Sequence, residues 1–380
     1  MNSAKKARIA IGIFFFISGF GFSSWASRIP AVQQNLGLSD AALGSVLFAL
    51  PLGLMLTLPV TGFLLQRFSS RAIMAMGAVL FNLMLALIGF AATPWQLVIL
   101  LFLFGSSRNF LNIAMNAQSI GVQAMYKRSI ITTFHGIWSI AGFAGAAVGS
   151  MMVSMNIAPS FHLMLSGSLL AILSFVAFPG SLAQPPSKTD ERRSFIFPDK
   201  GLLKFALISF ASMACEGTMY DWSGIYFQKE VHASKSIATL GYVVYMIAMA
   251  LGRFTGDKLV GRVGIIGMLK YSGTLIFAGM LLAALFPYPI AAGAGFMLIG
   301  FGVSCVVPLV FSMAGKSKSM GTGPAVAAVS TVGYFGFLFI PPLTGYISHT
   351  VGLRWAFALM AFLGISITIM ILQMERHEKQ

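Results

Sequence analysis

The sequence predicts an all-α polytopic membrane protein with twelve transmembrane helices in two pseudo-symmetric six-helix bundles. Three observations carry that reading. The 380 residues are 57% hydrophobic and only 9% charged, against roughly 25% charged in a soluble globular protein, and mean hydropathy is +0.85. Apolar runs of about 20 residues, the length that crosses a hydrocarbon core as a helix, recur from end to end. The two halves of the chain also repeat one another weakly at a nearly constant offset.

The first run, residues 9–29, follows "KKAR" and resembles a secretory leader at first sight. No small-residue cleavage site follows it, and "SSWASRIP" leads into more helices, so a retained first helix is expected. Runs at 41–66, 72–92, 95–126, 130–155 and 160–179 complete a first bundle over 1–179. The stretch "GSLAQPPSKTDERRSFIFPDKG" is the longest polar connection and marks a central cytoplasmic loop over 180–203. Runs at 204–228, 236–257, 265–286, 290–314, 324–347 and 352–373 form a second bundle over 204–380. Forty Gly and 23 Met suit closely packed membrane helices. Cys215 and Cys305 fall inside predicted spans, which points to neither a disulfide nor a metal framework.

Net charge is +15, and its placement is more informative than its size. With the N-terminus inside, eighteen of the 25 Lys and Arg residues fall on the cytoplasmic side. Four (Arg28, Lys229, Lys235 and Arg354) fall outside, and Arg108, Arg253 and Lys270 lie within spans. This is the positive-inside bias of a multi-pass inner-membrane protein with both termini in the cytoplasm. The basic balance therefore reports topology and calls for no nucleic-acid partner.

"SSWAS" around Trp25 parallels "YDWSG" around Trp222. Gly44 parallels Gly241, Arg67 parallels Arg262, Trp138 parallels Tyr334, and Gly149 parallels Gly345, all at offsets of 195 to 197. Two similar halves imply a carrier with its site near the membrane midplane. At these residues the chain resembles the major facilitator superfamily. The turn "GFLLQRFSSR" is similar to that family's signature loop, Gly-x-Leu-x-Asp-Arg-x-Gly-Arg. Gly62, Leu64, Arg67 and Arg71 match, while Gln66 stands where the family has Asp. In the second half Gly261 takes that place, Asp257 lies one turn earlier and Arg262 is kept. "SWASRIPAV", "AMNAQSIGV", "FHGIWSIAGFAGAAVG", "EGTMYDW", "GRFTGD" and "GYFGFLFIPPLTGY" resemble bacterial sugar-permease-like carriers near the fucose permeases. The resemblance implies the twelve-helix carrier fold and transport of a small solute.

A charge at the centre of a membrane helix costs roughly 2.5–3.5 kcal/mol, so each one needs a reason. Arg253 and Asp257 are four residues apart and are expected to pair near the interface, with Lys270 snorkelling beside them. Arg28, Arg67, Arg71, Arg253, Asp257 and Arg262 are thus gating or structural candidates. Arg108 lies midway along the fourth span and opens a stripe with Asn112 and Asn116, a candidate wall for a polar solute. The motif of proton–drug antiporters continues differently, since Leu111 and Asn112 replace its Gln and Gly. In the fifth span His135, Trp138, Ser139, Gly142, Ala146 and Gly149 share a face. The small residues point to helix packing; Trp138 and its counterpart Tyr334 are candidates for stacking on a solute, and His135 for carrying a proton.

Glu216 and Asp221, in "ACEGTMYDWSG", are five residues apart, roughly 140° around a helix, so they serve different partners. Glu216 shares a face with Tyr220 and is the candidate proton-binding carboxylate. It is expected to approach Arg108 in one conformational state. Asp221 lies nearer the outer end beside Trp222, whose indole suits an interface. Its candidate partners are the solute or, in an outer gate, Arg28. The expected function is a secondary carrier, not an enzyme, needing no cofactor or metal. It would act as a monomer in the lipid bilayer on a small polar substrate such as a sugar or polyol, in symport with protons. An organic-anion carrier using Arg108 and a proton-coupled exporter of amphipathic compounds are the alternatives. An intramembrane enzyme or sensor is the most distant class, because the short loops and few His residues supply no catalytic set.

Overall fold

A computed structural model describes residues 3–127, 130–184, 186, 198, 199, 201–316 and 320–378. Among them every regular element is helical. The chain runs through α1 (Ser3–Ala26), α2 (Ile29–Asn35), α3 (Asp40–Leu47), α4 (Ala49–Leu56), α5 (Leu58–Arg67), α6 (Ser70–Ile88), α7 (Pro94–Gln123), α8 (Ile131–Ser154) and α9 (Pro159–Ala177). It continues through α10 (Leu203–Lys229), α11 (Lys235–Leu285), α12 (Pro289–Ala314), α13 (Thr322–Val351) and α14 (Leu353–Glu378).

Ten stretches are long and apolar enough to cross a membrane. One of them, Asp40–Arg67, comprises α3, α4 and α5. It breaks at Phe48 and Thr57, a few residues before Pro51 and Pro59, since each proline removes a helical donor and crowds the preceding turn. Another, Ile237–Leu285, has 49 residues, about 1.5 Å each and so more than twice the ~30 Å hydrocarbon thickness. Gly264 (φ 72°, ψ 169°) interrupts it, in backbone space that essentially only glycine occupies. It therefore comprises two helices and makes two crossings, as the sequence suggested, with a kink at Gly264 in place of the expected loop. α10 adds a further span of 27 residues, its mean hydropathy lowered by Glu216, Asp221 and several hydroxyls. Twelve spans result among the described residues.

The chain forms two compact units, Met1–Leu38 with Val46–Ser194, and Ser39–Ser45 with Phe195–Gln380. In the first, α1 packs on α8 and α9, and α6 on α7 and α9. The α1–α8 contact is close because Gly19 lies against the Trp138 carbonyl and Gly145 against that of Phe20. The small residues of the fifth span thus serve helix packing. In the second unit α10 packs on α13 and α14, and α11 on α12 and α14. The short Ser39–Ser45 segment joins this second unit through Asp40, whose Oδ1 is 2.5 Å from Lys229 Nζ and whose Oδ2 accepts from Ser348 Oγ at 2.6 Å.

Polar ties hold helix ends that hydrophobic packing alone would leave unsatisfied. Glu230 Oε1 accepts from the Leu353 amide at 2.8 Å and so caps α14 from a distant loop. Arg354 Nε donates to the Ala284 carbonyl at 2.8 Å, placing a cation at the carboxyl end of α11. Lys270 pairs with Glu375 at 3.1 Å rather than simply snorkelling. Trp25 and Trp222, which the repeat aligns, are 1% and 0% exposed. Trp222 is therefore packed inside its bundle, not at an interface as its indole had suggested. Most of the expected central loop, with Lys188, Arg192, Arg193 and Lys200, lies outside the described residues, as do Arg128, Lys318 and Lys379.

Candidate functional site

In the second unit a polar cluster forms around Glu216, inside a span. Glu216, on the one-turn-repeating face of α10 that also carries Tyr220, is 9% exposed. The Tyr220 hydroxyl donates to Glu216 Oε1 at 2.7 Å. Arg253 Nη2, reaching from α11, lies 4.0 Å from the same oxygen. The four-residue spacing on α11 had pointed Arg253 at Asp257. The cross-helix approach to Glu216 exists because α10 and α11 pack side by side, which local spacing does not encode. Asp257 and Arg262 are exposed at the bend that Gly264 makes.

Aromatic rings wall this cluster. Tyr220 is stacked on Phe337 of α13 (centroids 6.4 Å, 21°) and meets Tyr245 edge-on at 5.8 Å and Tyr242 at 6.4 Å. Tyr242 and Tyr245, 2% and 0% exposed, were not singled out in the sequence, and neither was Phe337. A search for aromatics one turn apart facing a lone acid would have found the tyrosine pair only once the α10–α11 contact was known. The Tyr245 hydroxyl is buried without a hydrogen-bond partner among the described residues. Chemically, the cluster is one carboxylate that can exchange a phenol hydrogen bond, a guanidinium and a proton within a low-dielectric wall. Asp221 is half-buried further along α10, and Tyr334 is half-buried on α13.

In the first unit the predicted stripe on α7 faces α1. The Arg108 guanidinium lies over the Phe22 ring at 4.0 Å, and Asn112 Oδ1 accepts from Ser18 Oγ at 2.9 Å. The two pairs step in opposite directions along two antiparallel helices, four residues at a time, so the stripe is a helix seam as well as a candidate wall. Asn116 Nδ2 donates back to the Asn112 carbonyl at 2.8 Å. Arg108, Asn112, Asn116 and Trp138 are all half-buried, whereas His135 is exposed and meets Phe15 edge-on at 5.3 Å. Asn109, unnoticed in the sequence, is buried and donates to Thr61 Oγ1 at 2.7 Å, tying α7 to α5.

The signature-like loop is held from below by packing. Arg67 is exposed and stacks on Phe63 at 4.3 Å. Arg71 lies over Phe178 at 4.3 Å and donates to its carbonyl at 3.2 Å. Next to it, Gln118 donates to Ser70 Oγ at 2.8 Å and accepts from the Leu182 amide at 2.8 Å. Arg28, considered for an outer gate, points into its own bundle: its Nε donates to His162 Nδ1 at 2.9 Å.

Comparison with known proteins now decides the family. A profile of the Major Facilitator Superfamily matches residues 11–323. The chain belongs to the Major Facilitator Superfamily. It is 32% identical over 360 residues to an uncharacterized MFS-type transporter of Yersinia pestis, covering 95% of this chain and 94% of that one. It is 30% identical to the membrane protein MosC of Rhizobium meliloti, over 99% of this chain and 92% of that protein. Its fold matches the crystal structure of a mutant of the nucleoside transporter NupG with a TM-score of 0.79 at 14% identity, covering 97% and 99% of the two chains. This member of the superfamily is thus a multi-pass membrane transporter acting on a small molecule.

Proposed function

We propose that this transporter is a proton-coupled symporter of a small polar, polyhydroxylated solute in the cytoplasmic membrane, with both termini in the cytoplasm. Glu216 carries the proton. The supporting observation is the Glu216–Tyr220–Arg253 cluster, a buried carboxylate with a cation 4.0 Å away. At that separation two unit charges attract by about 4 kcal/mol at an effective dielectric constant near 20, before desolvation is subtracted. Inverting a two-state equilibrium from 1:99 to 99:1 takes about 5.5 kcal/mol. Protonating Glu216 and releasing Arg253 therefore biases the alternating-access equilibrium without completing it. The remainder has to come from bound solute, which is the requirement for coupled rather than leaky transport. Tyr220, Asp221 and Tyr334 in the second bundle, and Arg108, Asn112, Asn116 and Trp138 in the first, are the proposed solute contacts. His135 is a secondary proton site. Arg67, Arg71, Asp257 and Arg262 organise the loops that move.

The test is uptake into proteoliposomes with a panel of sugars and organic acids, with and without an imposed pH gradient. Gradient-driven accumulation should vanish in Glu216→Gln while solute exchange at equilibrium persists. Saturable sugar uptake that ignores the gradient and survives Glu216→Gln unchanged would end the symport reading. A second reading, an organic-anion carrier, rests on the half-buried Arg108; accumulation of acids but not sugars, lost in Arg108→Gln, would select it.

A further inference from the structure

Two residues of the motif "AMNAQSIGV", Gln118 and Gly121, have no part in the transport reading. Both meet residues 178–184, a stretch after α9 that polarity assigns, from Gly180 onward, to the central loop. Gln118 is 0% exposed. Its Oε1 accepts from the Leu182 amide at 2.8 Å while its Nε2 donates to the Leu182 carbonyl at 3.0 Å. One side chain thus pairs with both backbone groups of a residue, as a neighbouring strand would. The second Nε2 hydrogen goes to Ser70 Oγ at 2.8 Å, and Ser70 Oγ donates in turn to Gln184 Oε1 at 3.0 Å. This pairing fixes the orientation of the Gln118 amide, because the reversed amide would set donor against donor.

The rest of the stretch is anchored as well. Arg71 lies over the Phe178 ring and donates to its carbonyl. Gly180 seats on α1, where an added Cβ would come within 2.8 Å of Ala10 Cβ. Gly121 leaves room on α7, since a Cβ there would overlap the Gln184 amide and lie 3.1 Å from Leu182 Cδ1. The anchors stand on α1, α6 and α7, and none of them is an ion pair. No acid is at hand to make one. Gln66 occupies the acidic position of the signature-like loop, and the unit's Asp190 and Glu191 lie outside the described residues. Neutral hydrogen bonds therefore tie Ser70, where that loop enters α6, to α7 and to the stretch after α9. Ties of that kind are not screened by salt, whereas exposed ion pairs are.

We propose that residues 178–184 are a brace built into the first bundle, with Gln118 as its clasp, and that this brace holds the end of the signature-like loop through neutral hydrogen bonds. The brace stands apart from solute and coupling ion, so neither has to be known to test it. Hydrogen–deuterium exchange of the purified full-length protein in detergent, read by mass spectrometry, is the test. Peptides covering 178–184 should exchange slowly. Raising sodium chloride from about 0.1 M to about 1 M, which shortens the screening length from about 10 Å to about 3 Å, should leave that protection unchanged. Gln118→Met should speed exchange in 178–184 about tenfold or more. Exchange in 66–73 should rise with it, although Ser70 and Gln184 are 114 residues apart. Should Gln118→Met fail to fold, Gly121→Ala crowds the brace while giving α7 a better helix former. It should raise exchange in both segments and leave the rest of α7 as it was. Protection lost in high salt, or faster exchange in 178–184 with 66–73 unchanged, would overturn the proposal, as would variants that exchange like the unmodified protein.

Discussion

Removing Arg253 takes a cation from beside a carboxylate that is only 9% exposed. For a fully buried pair such a loss costs about 3–5 kcal/mol. Here the Arg253 side chain is 24% exposed, and solvent screening reduces the expected cost to about 1–2 kcal/mol. Arg253→Met should therefore lower the unfolding midpoint, and adding Glu216→Gln should recover most of the loss, because the stranded charge is gone. A double mutant as unstable as Arg253→Met alone would show that Arg253 acts by packing. This pair also marks where reading residues from sequence stops. Glu216 and Tyr220 were joined correctly by their four-residue spacing, which is a property of one helix. Arg253 was assigned to Asp257 by the same rule, whereas its approach to Glu216 depends on how two helices pack. The Arg28–His162 contact spans 134 residues and left no local pattern to find.

Helices are the scale at which this chain is most legible, because a span needs only length and apolar content. Their interruptions were less so. Pro51 and Pro59 break the second span into three pieces, and α2 occupies a stretch that had been read as a connection. The bend in α11 is the sharpest case. Gly264, with φ 72° and ψ 169°, separates two helices where the sequence had placed a break, and it narrows the expected loop to a kink. Any side chain there meets backbone strain of about 1–3 kcal/mol, even though no atom stands within 4 Å of a Cβ built on it. Gly264→Ala should destabilise the fold by that amount, measured as a lower thermal midpoint. The neighbouring Gly261, equally open in space and without positive φ, should tolerate alanine nearly unchanged. If both substitutions behave alike, conformation is not what glycine supplies at the bend.

Across the whole molecule, the strong positive charge and the low acid content concern orientation before chemistry. The acids available to the middle of a span are confined to the second half, so the two bundles share a scaffold while only one carries a carboxylate that the proposed coupling can use. The proposed orientation rests on the eighteen-to-four division of Lys and Arg between the two sides, because basic loops are retained in the cytoplasm. On that proposed topology Lys127 and Lys258 lie in the cytoplasm and the ends near Trp95 and Tyr288 lie outside. All four positions are exposed, and the native Cys215 and Cys305 are buried, so an introduced cysteine can be read with a membrane-impermeant maleimide. Trp95→Cys and Tyr288→Cys should label in intact cells, and Lys127→Cys and Lys258→Cys only after permeabilisation. The reverse pattern would place the basic loops outside and overturn the topology. It would also invert the side from which Glu216 meets its proton, so the same labelling fixes the direction in which a gradient has to be imposed for the uptake measurement to be informative.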